Sequence, residues 1–262
     1  MHFKTSGDVV LAKVAAGVSW DEFVEAAVER DLAGVTCLSG IPGSVGATPI
    51  QNVGAYGQEV SDTIVSVGVM HRESGKISSI AGEDCGFAYR HSRFKERPNE
   101  FVVIDVTFAL KPGAKPTIRY GELKRRLESL DGPNTLGHVR EQVLLLRRGK
   151  SMVIDPSDEN HRSAGSFFTN PIVPVAVAEE VLRRAANEGT IKLAAGWLIE
   201  KSGINKGMRE GNVGISSKHA LALVHHGGGT TRELLAFAEK IADHVEDVFG
   251  VKLEREPQFV GR

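Results

Sequence analysis

The sequence predicts an α+β fold in two successive parts. Strand-type alternation dominates as far as residue 112, and helical stripes dominate beyond it. The clearest alternation runs from Phe101 to Leu110, where Val102, Ile104, Val106 and Phe108 recur at every second position. The clearest stripe is Leu234, Ala238, Ile241, Val245 and Val248, stopped by Gly250. Pro112, Gly113 and Pro116 interrupt the chain between the two regimes, so the parts are placed at 1–112 and 113–262.

Composition narrows the class. The 262 residues are 41% hydrophobic and 25% charged, as expected of a globular protein that buries a sizeable core. The formal net charge is -1 with the signs interspersed, so no basic face points to nucleic acid, and an anionic ligand needs local Lys and Arg. No apolar run approaches the roughly 20 residues that span a bilayer. The N-terminus carries no signal-peptide pattern. Cys37 and Cys85 are far apart and read as small core residues in a reducing cytosol. The nine histidines form no zinc spacing; His225-His226, beside three glycines, reads as loop, and no catalytic metal is expected.

In the first part, Met1 to Asp8 is short and polar, and Val9 to Ala15 reads as a strand. Ser19-Trp20-Asp21-Glu22 has the form of a capping box and predicts a helix from Trp20 to Arg30. Gly40 to Gly57 holds five glycines and two prolines in eighteen residues. It is a loop, either structural or one whose backbone amides approach a flat or anionic ligand. It matches neither dinucleotide nor P-loop spacing. Val65–Met70 and Lys76–Ile80 flank Glu73-Ser74-Gly75 as a hairpin. Cys85 to Lys95 interleaves Arg90, Arg93 and Lys95 with Phe87, Tyr89 and Phe94. That is either a solvated face or a carboxylate pocket, since arginine offers a bidentate fork.

In the second part, Tyr120-Gly121-Glu122 opens a short helix and Thr135 to Arg148 forms a longer one, with Leu136, Val139, Val143 and Leu146 on one face. Its terminal Arg147, Arg148 and Lys150 suit a helix C-terminus and could also bind phosphate. Ser163-Ala164-Gly165-Ser166-Phe167-Phe168-Thr169-Asn170-Pro171 reads by residue type as a tight turn. An Ala/Val-rich helix follows to about Asn187, then a short helix over Ala194–Glu200. A glycine-punctuated loop carries Lys206 and Arg209. Thr230-Thr231-Arg232-Glu233 is a second capping box. The tail Val251–Glu256 alternates like an edge strand, with Lys252, Glu254 and Glu256 on one face and Arg255 on the other. Spacing alone makes Glu256 a surface acid.

Gly40–Gly57, Cys85–Lys95, Ala164–Pro171 and Gly250–Glu256 together resemble the UDP-N-acetylenolpyruvoylglucosamine reductases, also called UDP-N-acetylmuramate dehydrogenases (the MurB family). Ala194–Glu200 and Lys206-Gly207 resemble the C-terminal domain of that family. The resemblance implies a two-subdomain FAD-binding domain of the vanillyl-alcohol-oxidase type followed by an α+β substrate domain. It also implies a cytoplasmic oxidoreductase of peptidoglycan synthesis, serving cell shape and division. FAD and NADPH are the implied cofactors, UDP-N-acetylglucosamine enolpyruvate the implied substrate, and a full-length member is expected to be monomeric.

Carried over by motif, Ser166 is the implied proton donor, with Arg90 and Glu256 stabilising the intermediate. Gly43, Ser44, Gly46, Asn52, Gly54 and Ala55 are implied in holding FAD. Tyr120, Lys150 and Asn170 are implied in holding the UDP-sugar, with Tyr89 adjoining. His219 stands where a compared member has a polar amide. The L-G-x-G-S-N-type flavin loop is absent from these residues, so residues 1–112 are expected to be the second flavin subdomain without the first. The alternative expectation is an FAD-free remnant that binds UDP-sugars without catalysis.

Overall fold

The computed structural model describes residues 1–130, 132, 134–182 and 190–259. The chain divides into two compact units, Met1–Arg148 and Gly149–Arg262. Both mix helices with antiparallel sheet, as the α+β expectation required.

The first unit contains β1 (His2–Ser6), β2 (Val9–Ala15), α1 (Trp20–Glu29) and β3 (Leu32–Ala33). Then come β4 (Gly54–Ala55), β5 (Gln58–Glu59), β6 (Ile64–His71), β7 (Ile77–Ala81), α2 (Arg93–Glu96) and β8 (Phe101–Pro112). It ends with α3 (Gly121–Glu128) and α4 (Leu136–Gly149), whose last residue lies across the division. The main sheet has the order β1-β2-β8-β6-β7, with β3 also paired to β8. β8 is central: Val14 lies opposite Val106 on one side, and Val67 lies opposite Val106 on the other. Alternate residues of these strands meet the apolar face of α1, where Trp20, Phe23, Val24 and Ala27 are buried. Phe23 stacks on Phe108 at 4.8 Å, and Trp20 meets Phe23 edge-on at 5.6 Å. Such a triplet combines large buried apolar area with favourable ring geometry.

One sequence expectation needs correction here, and two features go beyond it. Ser19 makes no side-chain cap to α1. Its backbone is instead bridged to Ser44. The polar start of the chain is an edge strand, β1, paired along its length with β2. Finally, α3 and α4 pack with the first unit, Leu123, Leu127, Val139 and Val143 closing over Cys37. The compact division falls between residues 148 and 149.

The second unit contains β9 (Ser163–Ser166), β10 (Ile172–Pro174), α5 (Val175–Leu182), β11 (Thr190–Lys192) and α6 (Ala195–Lys201). β12 (Arg209–Glu210), β13 (Val213–Ile215), β14 (Ala222–His225) and α7 (Thr231–Phe249) complete it. Its larger sheet has the order β12-β13-β14-β9. Phe237, Ala238, Ile241 and Val245 of α7 pack with Leu198 and Ile199 of α6 and with Phe167 and Phe168. The Thr230 capping box forms in both directions, and Gly250 ends α7 in the left-handed conformation. The Ser163–Ser166 run is an edge strand and not a turn, and His225 closes β14 and not a loop. The part of the expected Ala/Val-rich helix beyond Leu182 lies outside the described residues.

Candidate functional site

The candidate residues fall into two groups, one in each unit. In the first unit the glycine-rich run folds as a loop against the start of α1. Trp20 N–H donates to Gly43 O, Val45 N–H to Val18 O and Gly46 N–H to Ala16 O, each at 2.9 Å. The amides of Val45 and Gly46 therefore serve the protein's own backbone. Gly46 is required for space: a Cβ there would lie 2.5 Å from that of Ala16. Gly43 differs, being exposed at φ +122°, with open space where a side chain would stand. Ser44 is half-buried beside it.

Further on, Gly54-Ala55 and Gln58-Glu59 form a two-residue hairpin. Tyr56 (φ +50°) and Gly57 (φ +78°) fill its tip, the left-handed pair such a turn requires. The Tyr56 ring meets that of Tyr120 edge-on at 5.4 Å, and burial pushes its phenol up to about 12 despite Arg147. Tyr120 stands at the N-cap of α3, 44% exposed.

Asn52, buried and at φ +48°, is a latch. Its amide nitrogen donates to Glu59 Oε2 (2.8 Å) and Ala88 O (3.1 Å), and its oxygen accepts Ser61 N–H (3.1 Å). The Ala88 contact ties the glycine loop to the turn Ala88–His91, whose tip is Tyr89-Arg90. A second tie is Ser92, fully buried, whose hydroxyl caps α2 and donates to Ile50 O. Arg90, left-handed at φ +53°, is thereby carried onto the loop, where its Nη2 donates to Gly54 O at 2.8 Å. Its guanidinium also lies over the Tyr89 ring at 5.2 Å. A Cβ at Gly54 would come within 3.1 Å of Arg90 Nη1. Loop, turn and guanidinium are thus gathered together, and the exposed Gly43, the half-buried Ser44 and the Arg90 cation are of the chemical types that suit a flat, anionic cofactor such as a flavin dinucleotide.

In the second unit, Ser166 ends β9 opposite Ala222 of β14, after a left-handed Gly165 (φ +78°). The chain then runs between two partners. Phe167 N–H donates to Leu221 O (2.8 Å), while Phe167 O accepts Glu256 N–H (2.9 Å). Phe168 is bridged to Arg255, and Thr169 N–H donates to Glu254 O (2.9 Å). The rings of Phe167 and Phe168 are both buried, meeting edge-on at 5.3 Å. Half-buried Ser166 and half-buried Glu256 are therefore held as neighbours by backbone pairing, although far apart in sequence. Asn170, four residues beyond Ser166, uses its side-chain oxygen to accept Ala195 N–H at the start of α6 (2.9 Å). Lys150 precedes Ser151 at the beginning of this unit.

The sequence reading missed the two devices that hold these groups. One is the latch of Asn52 on Glu59 and Ala88. The other is the carboxylate of Asp21, which accepts Gly40 N–H (2.6 Å) and both terminal nitrogens of Arg140 (2.6 and 2.9 Å). Acid–base spacing in sequence carries no hint of the latter, since its partners lie 19 and 119 residues away. Among the described residues no three His, Cys, Asp or Glu side chains gather to hold a metal. Nor is any described helix long and apolar enough to cross a membrane. Cys37 and Cys85 are buried thiols, each raised to about 11 by burial.

Fold and family signatures together define a flavin-dependent oxidoreductase. The sequence signature of an "FAD binding domain" matches residues 5–81. That of "UDP-N-acetylenolpyruvoylglucosamine reductase, C-terminal domain" matches residues 155–260. Proteins named UDP-N-acetylenolpyruvoylglucosamine reductase from Thermobifida fusca and Streptomyces coelicolor are 47% and 46% identical to the chain. The first alignment covers 97% of this chain and 75% of its relative, and the second 100% and 73%. The crystal structure of the UDP-N-acetylenolpyruvylglucosamine reductase of Thermus caldophilus superposes with a TM-score of 0.64 at 25% identity. It covers 94% of this chain and 71% of that one. The chain belongs to the UDP-N-acetylenolpyruvoylglucosamine reductase family.

Proposed function

We propose that the protein reduces UDP-N-acetylglucosamine enolpyruvate to UDP-N-acetylmuramate in peptidoglycan synthesis, as a cytoplasmic enzyme using NADPH and FAD. The observation that carries this reading is the backbone pairing that sets Glu256 beside the residue following Ser166. Residues 1–112 serve the flavin as its second subdomain, and residues 113–262 serve the substrate. FAD bound there would supply the two-electron chemistry by which hydride passes from NADPH to the enol ether.

The chain's own residues do the rest. Gly43, Ser44, Gly54 and Ala55 offer backbone and a hydroxyl to the cofactor, while Gly46 and Asn52 give the loop its shape. Hydride addition to the β-carbon leaves negative charge on the α-carbon and its carboxylate. A guanidinium such as Arg90 stabilises charge where it develops, most of all in a site poor in water. Glu256 lies against the same carboxylate and completes, with Arg90, the pair that stabilises the intermediate. The Ser166 hydroxyl delivers its proton to the α-carbon, and positioning offsets the weakness of serine as an acid. Tyr120, Lys150 and Asn170 hold the UDP-sugar, with Tyr89 beside Arg90.

The test separates the two half-reactions of the FAD-loaded chain. Ser166→Ala is expected to slow flavin reoxidation by substrate by a factor on the order of 10²–10⁴, the span of a lost general acid. Flavin reduction by NADPH is expected to stay near its original rate. Equal loss in both halves would remove Ser166 from its role. A chain that takes up no FAD yet binds UDP-N-acetylglucosamine in a calorimeter would instead support the narrower reading of a sugar-nucleotide-binding unit.

A further inference from the structure

One carboxylate in the second unit gathers two distant segments. Asp158 Oδ2 accepts Ser151 Oγ at 2.7 Å and Lys218 Nζ at 2.8 Å. Its Oδ1 accepts the backbone N–H of Asn160 at 2.9 Å and the side-chain amide of Asn160 at 3.2 Å. Asn160, 2% exposed, passes the connection on: its oxygen accepts Ser217 N–H (3.0 Å) and its nitrogen donates to Ser217 Oγ (3.1 Å). The Asp158 side chain is 11% exposed. Burial alone would raise its pKa, but the hydrogen bonds from Lys218, Asn160 and Ser151 together hold it well below the usual carboxylate range.

What this cluster fixes lies on either side of it. Ser151 is buried and left-handed at φ +55°, a conformation that residues other than glycine adopt only when their surroundings impose it. The residue immediately before it is Lys150. On the other side, Lys218 precedes His219. The fully buried Ser216 accepts the N–H groups of both Lys218 and His219 (3.1 and 3.3 Å). His219 O then accepts Ala222 N–H (3.1 Å), and Ala222 is the strand partner of Ser166. Covalent neighbours and hydrogen bonds thus link Lys150, by way of Ser151, Asp158, Lys218 and Ser216, to His219 and on to Ala222, the strand partner of Ser166.

We propose that Asp158 is a positioning residue for sugar-nucleotide recognition. By clamping Ser151 and Lys218 it aims Lys150 and the His219 turn relative to the Ser166 strand. The inference rests on the reading of this unit as a UDP-sugar site. It assigns to Asp158 no contact with the ligand, so its effect must pass through its neighbours.

The full chain, titrated with UDP-N-acetylglucosamine in a calorimeter, tests this by a double-mutant cycle. Asp158→Asn is expected to weaken binding about tenfold, and Lys150→Met by at least as much. In the Lys150→Met background, Asp158→Asn should add less than about a twofold loss, because the clamp then has no ammonium to aim. Full additivity of the two losses, or unchanged affinity in Asp158→Asn, overturns the proposal. If that variant fails to fold, Ser151→Ala cuts one strand of the clamp and leaves the charge, and the same non-additivity with Lys150→Met is required of it. Absence of binding by the unmutated chain would overturn the sugar-nucleotide reading itself. Hydrogen exchange then judges the clamp alone. Amides at 150–152 must exchange at least about tenfold faster in Asp158→Asn while those of β14 keep their protection. Unchanged exchange at 150–152 rejects the positioning role.

Discussion

Two helices in this protein begin with the same local instruction and obey it differently. Thr230-Thr231-Arg232-Glu233 forms a complete capping box, Glu233 N–H donating to Thr230 Oγ1 (3.2 Å) and Thr230 N–H to Glu233 Oε2 (2.6 Å). Ser19-Trp20-Asp21-Glu22 forms none of it. At α1 the first helical amide, that of Trp20, donates to Gly43 O, and Asp21 reaches sideways to Gly40 N–H and Arg140. The four unpaired N–H groups of a helix start must go somewhere. Where the end is exposed, as at Thr230, a neighbouring side chain takes them. Where the end abuts the glycine loop, the loop takes one and is held by the bargain.

Four substitutions sharpen or break this contrast. Each is read by chemical unfolding with Trp20 reporting the first unit and Trp197 the second, one tryptophan at a time replaced by phenylalanine. Phe23→Ala is expected to be the largest, about 3–5 kcal/mol in the first unit, because it empties the space between Trp20 and Phe108. A transition of the second unit that shifted with it would show that the units do not unfold separately.

Asp21→Ala comes next, at about 2 kcal/mol, through the stranded Gly40 N–H and the unpaired Arg140, with the figure held down by the partial exposure of Asp21. Its pH dependence has a defined sign. Burial would raise the Asp21 pKa, but Arg140 and the Gly40 N–H together lower it below the ordinary value. A depressed carboxylate contributes stability that is complete above the unfolded-state pKa of about 3.9 and is lost as pH falls through the folded value. The difference between wild type and Asp21→Ala should be flat from pH 7 to 5 and shrink below about pH 4. A difference that grew on acidification would contradict the pairing.

Thr230→Ala should cost the second unit about 1 kcal/mol, the usual worth of an N-cap. Ser19→Ala should be the smallest, within about 0.5 kcal/mol, as for a side chain that bonds nothing at its helix end. A loss at Ser19 as large as that at Thr230 would erase the distinction.

The same contrast explains what was readable in the chain. β2 and β8 announce themselves because more and less buried residues alternate along them, so apolar residues alternate. β1 has four of its five residues exposed and β14 has three consecutive buried residues, so neither alternates. β9 is built of Ser, Ala and Gly, which favour turns when taken singly, and only pairing with Ala222 and Val224 extends them. Among the candidate site residues, the motif positions were legible by resemblance. Their scaffolding was not: Asn52 with Glu59 and Asp158 with Lys218 are long-range matches between ordinary polar residues.

The pairing of residues 167–169 with 254–256 has a kinetic consequence. Thr169 and Glu254 are 85 residues apart, and closing a loop of that length costs about 4 kcal/mol of chain entropy. Contacts of such reach slow refolding, because the loop entropy is lost before the pairing repays it. After dilution from denaturant, activity should therefore return later than the circular dichroism of the helices, since acid and hydroxyl meet only once the two ends of this long loop have closed.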